Sequence, residues 1–497
     1  MRILYVSHSI GAAGAEKWLL QMLTAVDRRE FEPLVAIPEE GGPLGERITA
    51  MGVRSTVCPN VWAIDDPRDP AHLDRFARDL RERVAHLARV IETERIDVVV
   101  TNTAVVVEGA LAAAQTRRPH VWRVHELLGI DPCLVPLVDP GTWYRIVGEL
   151  SDHVSVVCEA LRTHWERLMG SASVHVLRNG LEDEVPPPAD RESLGLGSAT
   201  PMVAFVGTLS ETKGVTVLPQ VLEQVRRSVP GTVCLVMGTD GGAGAELERG
   251  IQARGLNDAF RVLGFRPDAR SLMACSDVVV LPSRVDAFPY VALEAMACSR
   301  PLVATRSGGA SEIVVHGETG LLTGSDPSEI AEAVSSVLRD PALARALGER
   351  GRDHVRSELT VARCAAGWRR ALEEAARTLP GSGRSDAGSL IASLLVEVAR
   401  WRSLATRMRV HQEIIDRHRS AIADFDSWKE EAGQRLEALR LESERTRAEI
   451  EESRTATTSR LEALLRTVEE DVSWRERVRS ILLFRIARAF YRLATGR

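Results

Sequence analysis

Two carboxylates eight positions apart, in Asp286-Ala-Phe-Pro-Tyr-Val-Ala-Leu-Glu294-Ala-Met-Ala, are the residues of this chain whose type and spacing most suit chemistry. The proline-containing loop places Asp286 beyond a strand end. The small, helix-favouring residues that follow carry Glu294 about two turns along a helix, at ~1.5 Å of rise per residue. An ionised carboxylate accepts through both oxygens, so it can take a bidentate pair from vicinal hydroxyls such as those of a ribose or hexose. An isolated pair at this spacing is ordinarily two solvated acids, so the motifs around it decide its meaning.

Three glycine-containing segments supply that context. Ser7-His-Ser-Ile-Gly11-Ala-Ala-Gly14-Ala-Glu16 follows the first apolar run and leads into an apolar helix, where backbone N–H groups and the positive helix end suit phosphate. The same glycines also serve plain strand-to-helix geometry, and that caution extends to Gly238-Thr-Asp-Gly241-Gly242-Ala-Gly244. In Gly207-Thr208-Leu-Ser-Glu211-Thr-Lys213-Gly214 a lysine stands beside a glycine at a strand end. Only Lys17, Lys213 and Lys429 occur among the 63 basic residues, so Lys213 is read as a point charge for a diphosphate leaving group. Asp424-Phe-Asp426 has the form of a metal-binding acidic pair, but it lies in a heptad-like stretch where the two acids would face different sides of a helix. No other His, Cys or carboxylate set has ligand spacing, so neither a metal nor a cofactor is expected.

The elements that must position these groups follow from apolar periodicity. Ile3 to Val6, Leu34 to Ile37, Val98 to Val100, Val121 to Val124 and Val154 to Val157 alternate with helical patterns. After the proline-rich Glu184-Val-Pro-Pro-Pro-Ala-Asp190 the alternation restarts with Val203 to Val206, Val233 to Met237, Val278 to Leu281 and Leu302 to Ala304. Such β-then-α order predicts α/β architecture with two doubly wound parallel sheets. Their strand carboxyl ends would face one cleft, where ligands of such sheets bind. The expected organisation is a first domain over 1–185, a second over 191–378, a flexible linker over 379–389, a coiled coil over 390–470 and a basic amphipathic helix over 471–497.

The coiled-coil expectation rests on 3- and 4-residue steps through Leu394, Val398, Trp401, Ala405, Met408 and onwards to Val468, interrupted by polar residues near Gln412, Lys429, Ser443 and Thr457. A long solvated helix is the competing reading. In the last segment Leu482, Ile486, Phe490 and Leu493 oppose Arg485, Arg488 and Arg492. That pattern suits an anionic membrane surface, or docking on the globular part or another subunit. Hydrophobic content of 44%, charged content of 27% and a formal net charge of -6 are those of an ordinary globular protein with no overall pull towards nucleic acid. Seven scattered cysteines without paired spacing read as reduced thiols. With no apolar leader and no run of ~18 uncharged apolar residues, the expected location is cytoplasmic, at the inner face of the membrane if the last helix binds lipid.

Taken in order, Gly14-Ala-Glu16, His125-Glu126, Asn179-Gly180, Gly207…Lys213-Gly214, Pro282-Ser283, Asp286-x7-Glu294 and Ser307-Gly308-Gly309…Glu312-Ile resemble the GT4 family of retaining, GT-B-fold glycosyltransferases over residues 1 to 375. The resemblance implies a donor site for a nucleotide diphosphate sugar. Glu294 would bind the ribose and Lys213 the diphosphate. Asp286 and the backbone of Ala287 and Phe288 would meet the transferred sugar, with His125 reaching it from the first domain and Gly14 near the phosphates. It further implies that His125, Lys213 and Asp286 carry the catalytic roles, that the leaving group's own oxygen assists the acceptor, and that no protein nucleophile is needed. A hexose would pass to a lipid-linked or polysaccharide acceptor in cell-envelope glycan synthesis, with homo-oligomerisation through the coiled coil. Three positions depart from the family: Asp286 stands where Glu is usual, Thr208 where an arginine often assists the lysine, and Pro289 where many members have glycine. A transferase-like scaffold without catalysis is the alternative.

Overall fold

The computed structural model describes residues 1–65, 69, 71–131, 134–169 and 174–378, and beyond them 388–389, 391–400, 402–403 and short helical pieces between 437 and 459. The expected amphipathic helix over 471–497, the acidic pair at 424–426 and most of the expected linker and coiled coil lie outside these residues.

Short, β-branched runs build the first domain. Its strands are β1 (Arg2–Val6), β2 (Glu32–Ile37), β3 (Arg54–Val57), β4 (Ile64–Asp65), β5 (Val98–Thr101), β6 (His120–Val124), β7 (Val135–Pro136), β8 (His153–Val156) and β9 (Val174–Val176). Seven of them form one sheet in the order β3-β2-β1-β5-β6-β8-β9, parallel at every pairing, while β4 and β7 make a small antiparallel pair beside it. The second domain has β10 (Met202–Val206), β11 (Val233–Met237), β12 (Phe260–Gly264), β13 (Val278–Leu281), β14 (Leu302–Thr305) and β15 (Leu321–Thr323). These form a six-stranded parallel sheet in the order β12-β11-β10-β13-β14-β15. In each sheet the order reverses beside the first strand, which leaves a crevice at the carboxyl ends. Alternate residues of β10 serve two cores: Val203 and Phe205 pack on one face, Met202 and Ala204 on the other.

The chain does not end in the second domain. The helix Val361–Arg377 crosses back, packing on β5, β6 and β8 and on the helix Gly14–Ala25. Its Trp368 is fully buried, donates from Nε1 to the Tyr5 hydroxyl at 3.0 Å and meets Trp18 edge-on at 4.8 Å between ring centroids. The outgoing and returning crossings pass each other where Leu181 N–H donates to the Leu359 carbonyl at 2.8 Å. Gly180 sits there because a Cβ at that position would strike the Thr360 carbonyl.

Helical residues 388–389, 391–400 and 402–403 correct the sequence reading. Gly388 and Ser389, assigned to the linker, are helical, and Gly388 lies against Ala114 and Leu150. Leu394 and Val398, assigned to a coiled-coil seam, are buried with Ile391, Leu395 and Ala399 in the core shared with the first domain. Arg402 donates to the Leu137 carbonyl at 2.6 Å and Arg81 to Ser393 Oγ at 3.1 Å. Apolar residues at 3- and 4-residue steps make a stripe that fits any apolar groove, so this spacing alone does not choose the partner.

Six cysteines are free and buried; Cys133 lies outside the described residues. No helix among the described residues is long and apolar enough to cross a membrane. Replacing Leu395, 1% exposed, with alanine removes three carbons' worth of contact at this junction and should cost ~2–4 kcal/mol. Urea unfolding of the full chain checks this, and an unchanged midpoint would mean that the helix does not dock.

Candidate active site

The loops that leave the strands at the crevice carry the expected groups. In the first sheet Asn102 directly follows β5 and His125 directly follows β6. Asn102 donates from Nδ2 to the Ala15 carbonyl at 2.9 Å, which leaves its Oδ1 to accept from His125 Nε2 at 3.0 Å. That network assigns the Nε2–H tautomer, so a neutral His125 keeps Nδ1 as an acceptor. Burial, with Arg123 and His8 nearby, holds its pKa well below the ordinary imidazole value. Trp18 packs edge-on against the ring. Glu126 accepts from Thr103 Oγ1 at 2.5 Å and from Ala104 N at 3.0 Å, and so ties the loop after β6 to the loop after β5.

The helix Gly14–Ala25 presents Gly14, Lys17 and Gln21, one turn apart, to the second domain. Glu16 is buried and turns back to accept from Ala13 N at 3.0 Å and Ser9 Oγ at 2.7 Å, which closes the helix start. Gly14 meets the ring of Tyr290: a Cβ there would lie 3.5 Å from it. Lys17 Nζ stands 4.7 Å from the same ring centroid and pairs with Glu294, while the Tyr290 hydroxyl donates to Gln21 Oε1 at 2.9 Å.

On the facing lip, β13 ends at Leu281 and the Pro282–Pro289 loop runs into the helix Tyr290–Ala297, with Pro289 at the N-cap. Proline fits there because the cap position needs no N–H inside the helix. Lys213 Nζ binds Asp286 Oδ2 at 2.6 Å, and Ser283 Oγ stands 3.5 Å from the same oxygen. Asp286 is 11% exposed and Lys213 34%, so the pair is desolvated on the carboxylate side and reachable on the other. Ala287 and Phe288 are buried. Gly308 and Gly309 let the next loop lie on their backbone, since a Cβ on either would collide with the carbonyl of Asp286 or Ala287. Gly309 N–H donates to the Asp286 carbonyl at 3.2 Å.

The sequence-derived residues therefore fall into linked groups. Lys213, Asp286, Ala287 and Phe288 form one lip; Glu294 lies one helix further on and is joined through Lys17 to the helix that carries Gly14; His125 stands behind that helix on Asn102. Four contributors were not singled out from the sequence. Lys17, Gln21 and Tyr290 form the bridge across the cleft. Glu312, which stood in the motif set without a role, accepts from Glu159 N at 3.0 Å and Ala160 N at 2.9 Å at the start of the helix Glu159–Met169, and from Arg178 at 3.2 Å. The rarity of lysine was the available signal for Lys17.

Two family models divide the chain where the two domains divide. The glycosyltransferase family 4 model matches residues 12–185, and the model of glycosyl transferases group 1 matches residues 188–354. Alpha-maltose-1-phosphate synthase of Mycolicibacterium smegmatis is 29% identical over 380 residues, which cover 69% of this chain and 97% of that protein. The GDP-mannose-dependent alpha-(1-6)-phosphatidylinositol monomannoside mannosyltransferase of the same organism is 35% identical over 231 residues, 42% of this chain and 59% of its own. Among solved structures, Anabaena Alr3699/HepE in complex with UDP-glucose superposes with a TM-score of 0.63 at 25% identity, covering 75% of this chain and 99% of that one.

The low His125 pKa has a sign that can be tested. The folded protein holds the ring neutral while the unfolded chain takes up a proton below its ordinary value of about 6.5. Stability should therefore fall as pH drops below that value, by up to ~1.4 kcal/mol per pH unit from this group, until the folded pKa is reached. Urea unfolding between pH 7.5 and 4.5 should show a shallower decline for His125→Asn than for the wild type, and parallel declines would show that His125 is not held neutral.

Proposed function

The chain belongs to the GT4-type glycosyltransferases of GT-B fold, and from that premise we propose that it moves a hexose from a nucleoside diphosphate sugar to an acceptor hydroxyl with retention of anomeric configuration. One observation carries the reading: the two lysines among the described residues each hold one of the two expected donor-site carboxylates, Lys213 on Asp286 and Lys17 on Glu294. Without ligand the cations and anions of the cleft neutralise one another. A donor exchanges these contacts: its ribose hydroxyls replace Lys17 at Glu294, and its diphosphate draws Lys213 from Asp286, which then faces the sugar hydroxyls.

In the transfer the bond between the anomeric carbon and the diphosphate oxygen breaks. The acceptor oxygen bonds that carbon from the same face, and its proton passes to the departing diphosphate. Negative charge builds on the diphosphate, where Lys213 and the N–H groups around Gly14 oppose it inside a cleft that excludes water. His125, neutral and fixed by Asn102, offers Nδ1 to a sugar hydroxyl rather than a charge. The acceptor class we infer is lipid-linked or polysaccharide glycan, supported by the relative that mannosylates a phosphatidylinositol mannoside and by the basic apolar pattern of 474–497.

Thermal unfolding of the full chain with UDP, GDP and ADP, alone and as sugar conjugates, tests the donor site. A nucleotide at ~100 times its dissociation constant adds ~2.7 kcal/mol of stability. One nucleotide class should raise the midpoint, with Glu294→Ala weakening that nucleotide ~10–100-fold, the cost of losing hydrogen bonds to a charged partner. No shift with any nucleotide would sink the ribose role. For turnover, Lys213→Ala should lower kcat by ~10²–10³, as removal of one preorganised charge-stabilising donor does, and a wild-type rate in that variant would exclude Lys213 from the leaving-group site.

A further inference from the structure

The end of the first sheet opposite the cleft holds a group of side chains that the transfer reaction does not use. His153 opens β8, and His175 lies on β9 opposite Ser155. Residues two apart on a strand share a face, so both imidazoles project from the same side of the sheet. Their rings stack with centroids 4.1 Å apart and planes 13° apart. The returning helix Val361–Arg377 covers this side and brings Glu374 Oε2 to 4.0 Å from His153 Nδ1. One ligand atom from each of the three residues lies within 4.8 Å of the other two.

Hydrogen bonding does not account for the placement of His153. His153 is 5% exposed, its Nε2 has no hydrogen-bond partner, and the distance from Nδ1 to the carboxylate exceeds hydrogen-bond reach. A buried polar nitrogen left in that state costs ~1–3 kcal/mol. Burial, together with the stacked His175, pushes the His153 pKa down to about 4, so the buried ring is neutral. Neutral imidazole is the form that ligates metals.

We propose that His153, His175 and Glu374 bind one divalent cation of the zinc type, which clips the returning helix to the first sheet. Two nitrogen donors and one carboxylate suit Zn²⁺ and its borderline neighbours, whereas Ca²⁺ and Mg²⁺ prefer all-oxygen shells. Water completes a four-coordinate shell. Bonds of ~2.0–2.2 Å at tetrahedral angles bring donors to ~3.3–3.5 Å of one another, so the present set closes by about 1 Å. Glu374 supplies that movement, since its side chain is 56% exposed and turns without disturbing the core. The residues stand 22 and 199 positions apart along the chain, so no local spacing announces them.

The test uses the untagged full-length chain, stripped with a chelator and titrated with Zn²⁺ by calorimetry, with Co²⁺ replacing it for visible spectroscopy. The wild type should bind one ion, rise in thermal midpoint with Zn²⁺, and show the d–d bands of low-coordinate Co²⁺. His175→Gln and Glu374→Gln, both at exposed side chains that leave the fold intact, should each weaken binding by at least ~10-fold and abolish the thermal response. No bound ion in the wild type, or the same affinity in both variants, would overturn the site. Neither result bears on nucleotide binding, which occupies the other end of the strands.

Discussion

The chain passes between its two sheets twice, and both passages run through one constriction where Gly180 faces Thr360. Just beneath it lies a guanidinium with almost no access to water. Arg123, fully buried, donates to Asn179 Oδ1 at 2.8 Å, to Ser155 Oγ at 3.1 Å and to the Val156 carbonyl at 3.2 Å, and its plane stands over Trp18 at 4.8 Å. A buried cation is costly, and although Nε is left without a partner, the three hydrogen bonds from its terminal nitrogens and its contact with the ring tie the outgoing crossing, the end of β8 and Trp18 together. Burial pulls the Arg123 pKa down to about 10, still far above neutral pH, so the charge stays. Trp18 in turn sits one residue from Lys17 and packs on Trp368 of the returning helix. The position of the lysine in the cleft therefore follows from the contacts that a buried arginine makes behind it.

Across the cleft the contacts are of a different kind. Tyr290 with Gln21 is a single buried hydrogen bond, whereas Lys17 with Glu294 and Glu312 with the start of the helix Glu159–Met169 are partly exposed, and Arg356 with Asp183 beside the crossings is exposed. The exposed ion pairs contribute little each and exchange readily for water or ligand. The domains are thus held firmly at the crossings and lightly at the lips, the distribution that hinge closure requires.

Much of this was legible in the residues. The runs Ile3–Val6, Val121–Val124 and Val278–Leu281 are short, largely apolar and rich in β-branched residues, as strands buried on both faces are, so the sheets and the strand-end placement of His125 and Asp286 followed. The Asp286 loop was legible because Pro289 and the alanines after it fix where a helix starts. Residues acting through tertiary contact were not. Lys17 faces Glu294 only because the second domain arrives there, and the stacked histidines meet only across a strand pair and a helix that returns 199 residues later. Leu394 and Val398 were misassigned for a related reason: an apolar stripe states that a helix will be covered, and not by what.

The docking of 391–400 and of the Val361–Arg377 helix on the first domain also orders events in time. Trp368, Leu395 and Val398 complete a core that β1 to β9 begin, yet the ribosome delivers them after the whole second domain. At ~5–20 residues per second the first sheet waits roughly 10 to 45 s for its last covering helices. During that interval the face of β5, β6 and β8 that receives Trp368 is open, and the second domain, whose outer core closes on itself, is free to fold first. The wall of the cleft that the first domain builds is therefore the last to be fully covered as the chain is made.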